Sequence, residues 1–400
     1  MTGAEQPGNP VSGNPQTQEP PPAPPDTRAC TACGAQVLPS DGYCEECGAD
    51  LLVRRSAPPG GAALPCSDCG GTAFTDGYCD NCGRLAPSPR DHWERDLGVV
   101  AGVSDRGLRH SRNEDSMAFA VIGEGTEYPA SVVVVCDGVS SSVDPQRASQ
   151  LAANTTLDYL VRALRHGEPA PASTSAAIET AQRAVAGLAE EYRDRSDAPS
   201  CTIATAVVER GRVTVGWVGD SRVYWLAADG GTSRRLTDDD TWAGQLIAGG
   251  AVNEAEAYKA PHAHAILRWL GPEAPPEPPH VRDFAPQGPG LVLACSDGLW
   301  NYVWDAADLA SLAGEGWNGL AAASASLTAV ALNSGGQDNI TTVLAYYPPI
   351  APPAAAVAAA APTLQLPPLT ETAEIVSTDS ASTDIASSNG TAPSDEGIEP

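Results

Sequence analysis

Four hundred residues with a mass of 41.0 kDa exceed a single core of about 100 to 200 residues and allow two or three domains. Acidic residues outnumber basic ones by 50 to 23, a net charge of −27, which argues against a surface that neutralises nucleic-acid phosphates, whose footprint is basic. No run of about 18 apolar residues exists, and the opening MTGAEQPGNP has neither a basic n-region nor an apolar core, so the chain reads as an unexported, cytoplasmic protein with no membrane contact.

In chain order, residues 1–28 are proline-rich and lack aromatic residues, too poor in large apolar groups to offset the entropy of ordering, so disorder is expected. Two cysteine-rich modules follow at 29–50 and 65–86, joined by a linker at 51–64. A second linker, 87–96, lies within the hinge segment LAPSPRDHWERD. From 97 to 347 apolar runs recur with helical and strand periods, enough for a substantial core. Residues 348–400 form an acidic tail rich in Pro, Ala, Ser and Thr, again expected to be disordered; its AAAVAAAAP tract is too short to span a bilayer.

Eleven cysteines divide into eight and three. Cys30, Cys33, Cys44 and Cys47 form one pair of C-x2-C units and Cys66, Cys69, Cys79 and Cys82 a second. Both copies end DGYC-x2-CG, with Gly48 and Gly83 after the last cysteine, so the module is an internal repeat. A C-x2-C turn aims two thiolates at one point, and two such turns complete a tetrahedral zinc site. A disulfide framework is the competing reading, and the lack of an export signal disfavours it. Four thiolates leave no open position, so two structural zinc ions are expected, in ribbons that dock to a partner. Cys136, Cys201 and Cys295 sit in apolar surroundings and read as buried, inert thiols.

Beyond Leu97, aspartates stand at the ends of strand-like runs. SVVVVCDG places Asp137 and Gly138 after a β-branched run; RVTVGWVGDSRVYWL sets Asp220 between two alternating segments, the shape of a hairpin. LVLACSDGLW repeats the device with Asp297, and GGQDNITTV puts Asp338 before another strand. Helical periods run over 145–166, 173–195 and 305–332. A lone acid at a strand end is usually a turn former. Four, joined by Glu114 and Asp115 in RHSRNEDS, would repel unless cations sat among them, and hard divalent ions take such oxygen ligands. Gly138 and Gly298 suit tight turns that bring main-chain oxygen close to an ion.

The ordered motifs SDRGLRHSRNEDS, VVCDG, CTIATAVV, VGDSRVY, RRLTDDDT, ILRWLG, LACSDGLW and GGQDNITTV, from Gly98 to Tyr347, make the chain resemble the bacterial type-2C metal-dependent serine/threonine protein phosphatases. The resemblance implies an α+β fold, a four-layer αββα sandwich of two antiparallel sheets with helix pairs outside, here preceded by a double zinc ribbon. It implies two manganese or magnesium ions bridged by a water, whose hydroxide attacks the phosphorus of phosphoserine or phosphothreonine. By the same resemblance Asp137 bridges the ions and the Gly138 carbonyl binds one. Asp297 and Asp338 complete the other, Glu114 and Asp115 bind directly or through water, and Asp220 serves a third, weaker metal.

The chain departs from that family at three places. His110 stands where an arginine normally grips the substrate phosphate, so His110, Arg109 or Arg112 is expected to bind phosphate or protonate the leaving oxygen. Asn301 replaces an aspartate of the third-metal site, and Val139 a histidine of animal relatives. Residues 239–265 correspond to a flap that Gly249 and Gly250 make mobile, and His262 and His264 within it read as surface residues. The expected partners are phosphoproteins and, for the ribbons, a serine/threonine kinase or phosphopeptide-binding protein, with no nucleic acid. The rival function is a pseudophosphatase that binds phosphoproteins without turnover, which the retained Asp137, Asp297 and Asp338 oppose.

Overall fold

The computed structural model describes residues 27–349 other than 31–32, 39–40, 59–63, 124–128, 193–196, 229–231, 251 and 315–318. The two ends expected to be disordered fall almost wholly outside the described residues. In the first cysteine module β1 (Arg28–Ala29) pairs with β2 (Gln36–Val37). After β3 (Val53–Arg55), the second module pairs β4 (Phe74–Thr75) with β5 (Tyr78–Cys79). There follow β6 (His92–Asp96), β7 (Val100–Asp105), β8 (Ser116–Ile122), β9 (Ala130–Cys136), α1 (Pro145–Arg165) and α2 (Ala170–Gly187). Then come β10 (Ile203–Glu209), β11 (Arg212–Val218), β12 (Arg222–Ala227), β13 (Arg234–Arg235), α3 (Trp242–Ala248), α4 (Glu254–Ala257) and β14 (His280–Phe284). The last elements are β15 (Gly290–Cys295), α5 (Asp297–Trp300), α6 (Ala306–Leu312), α7 (Leu320–Asn333) and β16 (Ile340–Tyr347).

Two six-stranded antiparallel sheets result, ordered β14-β11-β10-β9-β8-β3 and β13-β12-β15-β16-β7-β6. Helices α1 and α2 cover the first and α6 and α7 the second, the expected α+β, four-layer αββα sandwich. The unbroken apolar run of β9 follows from burial on both faces. Val133 and Val135 join Phe119, Trp225 and Leu293 between the sheets, while Val132 and Val134 pack with Leu160 and Ile178 beneath the helices. Among the described residues no helix is long and apolar enough to cross a membrane.

The segments read as linkers from the sequence contribute strands. β3 pairs with β8 in the register Val53↔Ile122 to Arg55↔Ala120, fastened by Ser56 N to the Phe119 carbonyl at 2.8 Å and Phe119 N to Ser56 Oγ at 2.9 Å. β6 pairs with β7, and Trp93, its one buried side chain, enters the central core. Both are edge strands, which need a single apolar face and tolerate charge elsewhere, so charge-rich VRR and HWERD carry little strand signal. The first cysteine module is docked on α1: Asp50 pairs with Arg165, whose guanidinium lies 5.4 Å from the Tyr43 ring centre.

Two further expectations are corrected. Segments β11 and β12 do not form a hairpin. Both edges of β11 are taken by β10 and β14, so the chain crosses at Gly219 to Ser221 into the other sheet, where β12 pairs with β15 and β13. The helical pattern over 305–332 splits into α6 and α7, with Gly314 and Gly319 flanking the interruption. The second helix begins at Ala170, before the expected 173, because proline is compatible with a first helical turn.

Candidate metal centre

Strand register brings the acids to one end of the sandwich. Ser116 opposes Cys136, Arg222 and Thr342 both oppose Cys295, and Ile340 opposes Asp105. Each acid lies just outside one of these paired positions: Asp115 before β8, Asp137 after β9, Asp220 before β12, Asp297 after β15 and Asp338 before β16. Asp137, Asp220, Asp297 and Asp338 line a 510 Å³ cleft together with Gly138, while Glu114 and Asp115 are not among its lining residues.

The loops are stapled by amides that the sequence reading did not single out. Asn339 accepts from Glu114 N at 2.7 Å and donates from Nδ2 to the carbonyls of Arg106 at 2.7 Å and Arg112 at 3.0 Å. Asn113 Nδ2 reaches Ser104 Oγ at 2.8 Å and the Arg90 carbonyl at 3.0 Å. Glycine admits the close approach: a Cβ at Gly298 would meet the Asn339 carbonyl at 2.0 Å, and one at Gly138 the Glu114 carbonyl at 2.8 Å. These glycines were expected to make tight turns; neither has a positive φ, and what each provides is room for a neighbouring main chain.

The electrostatics are those of anions packed without enough countercharge. Burial pushes the Asp115 carboxyl up to about 7, with Asp338 and Asp297 adding to it and hydrogen bonds from Ser296 and Thr341 opposing. Burial and then Asp338 push Asp297 up to about 6. Asp137 and Asp220 are raised well above the usual carboxylate range, first by burial and then by neighbouring acids. Asp115 Oδ1 and Asp297 Oδ1 are buried with no hydrogen-bond partner, although Asp115 Oδ2 accepts from Ser296 at 2.7 Å and Asp297 Oδ2 from Asn301 at 3.1 Å. Orphan carboxylate oxygens among acids are costly without a cation. The donor set, all oxygen, fits hard divalent ions.

The three residues expected to handle phosphate part company. His110 Nε2 lies 3.2 Å from Asp338 Oδ1. Arg112 is engaged by Asp91 at 3.0 Å, and Arg109 is exposed; none of the three is among the cleft's lining residues. His264, read from the sequence as a surface histidine, is exposed, and it also lines the cleft and stacks on Trp300 with centroids 5.9 Å apart at 18°. Nothing in PHAHA marks it, since its placement comes from the flap's tertiary packing. His262, at φ 61°, is exposed. The flap itself carries α3 and α4 around a small core of Ala243, Ala257 and Ala263.

Each cysteine module brings four sulfurs within 4.8 Å of one another. Cys30 to Cys47 is 3.8 Å, Cys33 to Cys44 3.7 Å, and Cys66 to Cys82 and Cys69 to Cys79 are both 3.5 Å. A tetrahedral site with zinc–sulfur bonds of about 2.3 Å separates its sulfurs by about 3.7 Å. No disulfide occurs among the described residues. Each C-x2-C turn ends in glycine at φ between 71° and 78°, namely Gly34, Gly48, Gly70 and Gly83, whose N–H donates to the carbonyl of the turn's first cysteine at 2.8 Å. Among the described residues only the cysteine sets gather so tightly; the carboxylates are ranged along their cleft.

Fold and cleft together define an αββα sandwich with a carboxylate-lined mouth at one end of its sheets. The chain belongs to the protein phosphatase 2C family, whose profile matches residues 107–332. It is 30% identical over 252 residues to the serine/threonine protein phosphatase PstP of Mycobacterium tuberculosis, covering 61% of this chain and 44% of that protein, so it spans less than half of that relative's length. It is 29% identical over 245 residues to the serine/threonine phosphatase stp of Listeria innocua, covering 60% of this chain and 92% of the relative. The catalytic domain of PstP solved with two manganese ions superposes with a TM-score of 0.50 at 27% identity, over 62% of this chain and 97% of that one. A bacterial serine phosphatase structure, at 22% identity, TM-score 0.53 and 62% and 96% coverage, shares the fold.

Proposed function

We propose that the chain is a metal-dependent protein serine/threonine phosphatase acting on phosphoserine and phosphothreonine proteins in the cytoplasm. The observation that carries this reading is the gathering of Asp137, Asp220, Asp297 and Asp338 around one cleft, backed by unpartnered oxygens of Asp115 and Asp297. Asp137 with the Gly138 carbonyl, Asp297 and Asp338 would hold two manganese or magnesium ions, with Glu114 and Asp115 behind them and Asp220 beside a weaker third. Such ions lower the pKa of a bound water and screen charge on the transferred phosphoryl group. The protein's own part is placement: the Asn339 and Asn113 staples fix the acid loops, and His110, 3.2 Å from Asp338 Oδ1, would orient that carboxylate and donate a proton to a departing oxygen.

The eight ribbon cysteines would hold two structural zinc ions. The first ribbon spends part of its surface on α1 through Asp50 and Tyr43. Both ribbon tyrosines stay exposed, Tyr43 at 57% and Tyr78 at 53%, and the ribbons are the candidates to dock a kinase or phosphopeptide-binding partner. The decisive test is manganese-dependent hydrolysis of a phosphothreonine peptide beside Asp137→Ala and Asp297→Ala. The reading expects turnover that either substitution lowers at least about a hundred-fold, with zinc content unchanged. No turnover by the wild-type protein would leave phosphoprotein binding without catalysis as the function.

A further inference from the structure

An aromatic pocket of 350 Å³ opens beside the carboxylate cleft, and the two share one wall, His264. Trp300 is fixed from two sides. The Arg222 guanidinium lies 3.7 Å from its ring centre, and its Nε1 donates to the Asp220 carbonyl at 2.9 Å. Tyr258, at the end of α4, forms another wall, its hydroxyl held by Asp239 and by Arg222 Nη2 at 2.7 Å. Trp304, 44% exposed, and Lys259 also line the pocket, with Ala255 and Asn301.

Charge decides what such a pocket takes. An aromatic box ordinarily suits a cation. This one has no carboxylate among its lining residues and includes Arg222, fully buried and locked on Asp239, together with Lys259, the chain's one lysine. A cationic guest would meet Lys259, and the Trp300 face it would seek already carries the Arg222 guanidinium. Its volume falls within the range of about 300 to 1,000 Å³ typical of ligand sites, and a neutral apolar group gains most from burial against indole and phenol rings. The adjoining cleft, by contrast, is lined by four aspartates and would take the phosphate by way of cations.

We propose that this pocket is a substrate subsite, accepting a large apolar side chain that flanks the phosphorylated serine or threonine of the peptide whose phosphate enters the cleft. The proposal rests on the phosphatase reading above. The peptide crosses His264, which separates the two chambers, so the subsite selects sequence while the carboxylate end handles phosphate.

The test compares phosphothreonine peptides carrying leucine or glycine at each neighbouring position, with p-nitrophenyl phosphate as a substrate that has no flanking residues. With manganese, leucine at one position should raise kcat/KM about ten-fold or more over glycine. Trp304→Ala should erase that preference while leaving p-nitrophenyl phosphate turnover within about two-fold, and Trp304→Phe should restore most of it. Equal rates on leucine and glycine peptides, or a Trp304→Ala loss shared by all substrates, overturns the subsite and leaves the phosphatase reading standing. Absence of p-nitrophenyl phosphate turnover in the wild-type protein sinks that reading, and the subsite falls with it.

Discussion

The cysteine modules and the carboxylate cleft gather ligands on opposite plans. In the first ribbon the buried apolar cluster consists of Cys30, Val37 and Cys44, so two of its three members are themselves proposed zinc ligands, and all four sulfurs converge within 4.8 Å. In the cleft the acids hang from the ends of strands buried in large cores, and no three described carboxylates come that close. Where a scaffold exists, it holds like charges apart and open to a substrate. Where none exists, the ion must serve as the core. The proposed ribbon metal is therefore a folding element, and the proposed cleft metals are guests of a structure that stands without them.

That contrast breaks most readily under chelation. Structural zinc contributes an apparent 10 to 16 kcal/mol or so in finger-sized modules, so phenanthroline treatment or Cys44→Ser should unfold the first ribbon. Limited proteolysis should then cut within 29–50 while the sandwich stays protected. A sandwich that melts together with the ribbon would show that the two are one folding unit. A smaller effect tests the cleft's independence of metal. Asn339→Ala removes three hydrogen bonds from a side chain 2% exposed, which should cost about 2 to 4 kcal/mol in thermal unfolding measured in EDTA. If manganese restored that loss fully, ions rather than amides would be ordering the loops.

The smallest effect concerns the β6 edge of its sheet. The Asp105 carboxylate, hydrogen-bonded at 2.6 Å, raises the pKa of His92, with Glu94 adding to it and burial opposing. A histidine whose folded pKa is raised contributes stability that is fully present below its unfolded value of about 6.5 and lost as pH rises through the folded value. The side chain is half exposed, so the contribution should stay below about 1 kcal/mol. His92→Gln should flatten this part of the pH profile of thermal unfolding between mildly acidic and alkaline buffer. An unchanged profile would assign the dependence elsewhere.

The legible parts of the sequence were those where one residue type serves one physical end. Asp137 and Asp297 could be located because burial on both faces makes β9 and β15 continuous apolar runs that stop abruptly at an acid, and Asp220 and Asp338 because each stands just ahead of another strand. The cysteines could be paired because their spacing is local. What the sequence concealed depends on partners distant in the chain. The segment around Asp220 alternates like a hairpin, and only the occupation of both β11 edges by β10 and β14 sends β12 into the other sheet. His264 becomes part of the cleft through stacking on Trp300, 36 residues further on by subtraction of the two positions. β3 and β6 were hidden because an outer strand with one inward side chain looks like any charged connector.

β3 ties the inheritance of the ribbon to that of the sheet. Its neighbours Leu52 and Ser56 are pinned to Gly123 and Phe119, and successive residues of a strand face opposite ways. Loss or gain of one residue among 52–56 would exchange the faces presented by Val53 and Arg54, whereas a change of two would keep them. Length variation in this stretch is thus permitted in even steps, a parity rule imposed on a short passage outside the family match that begins at residue 107.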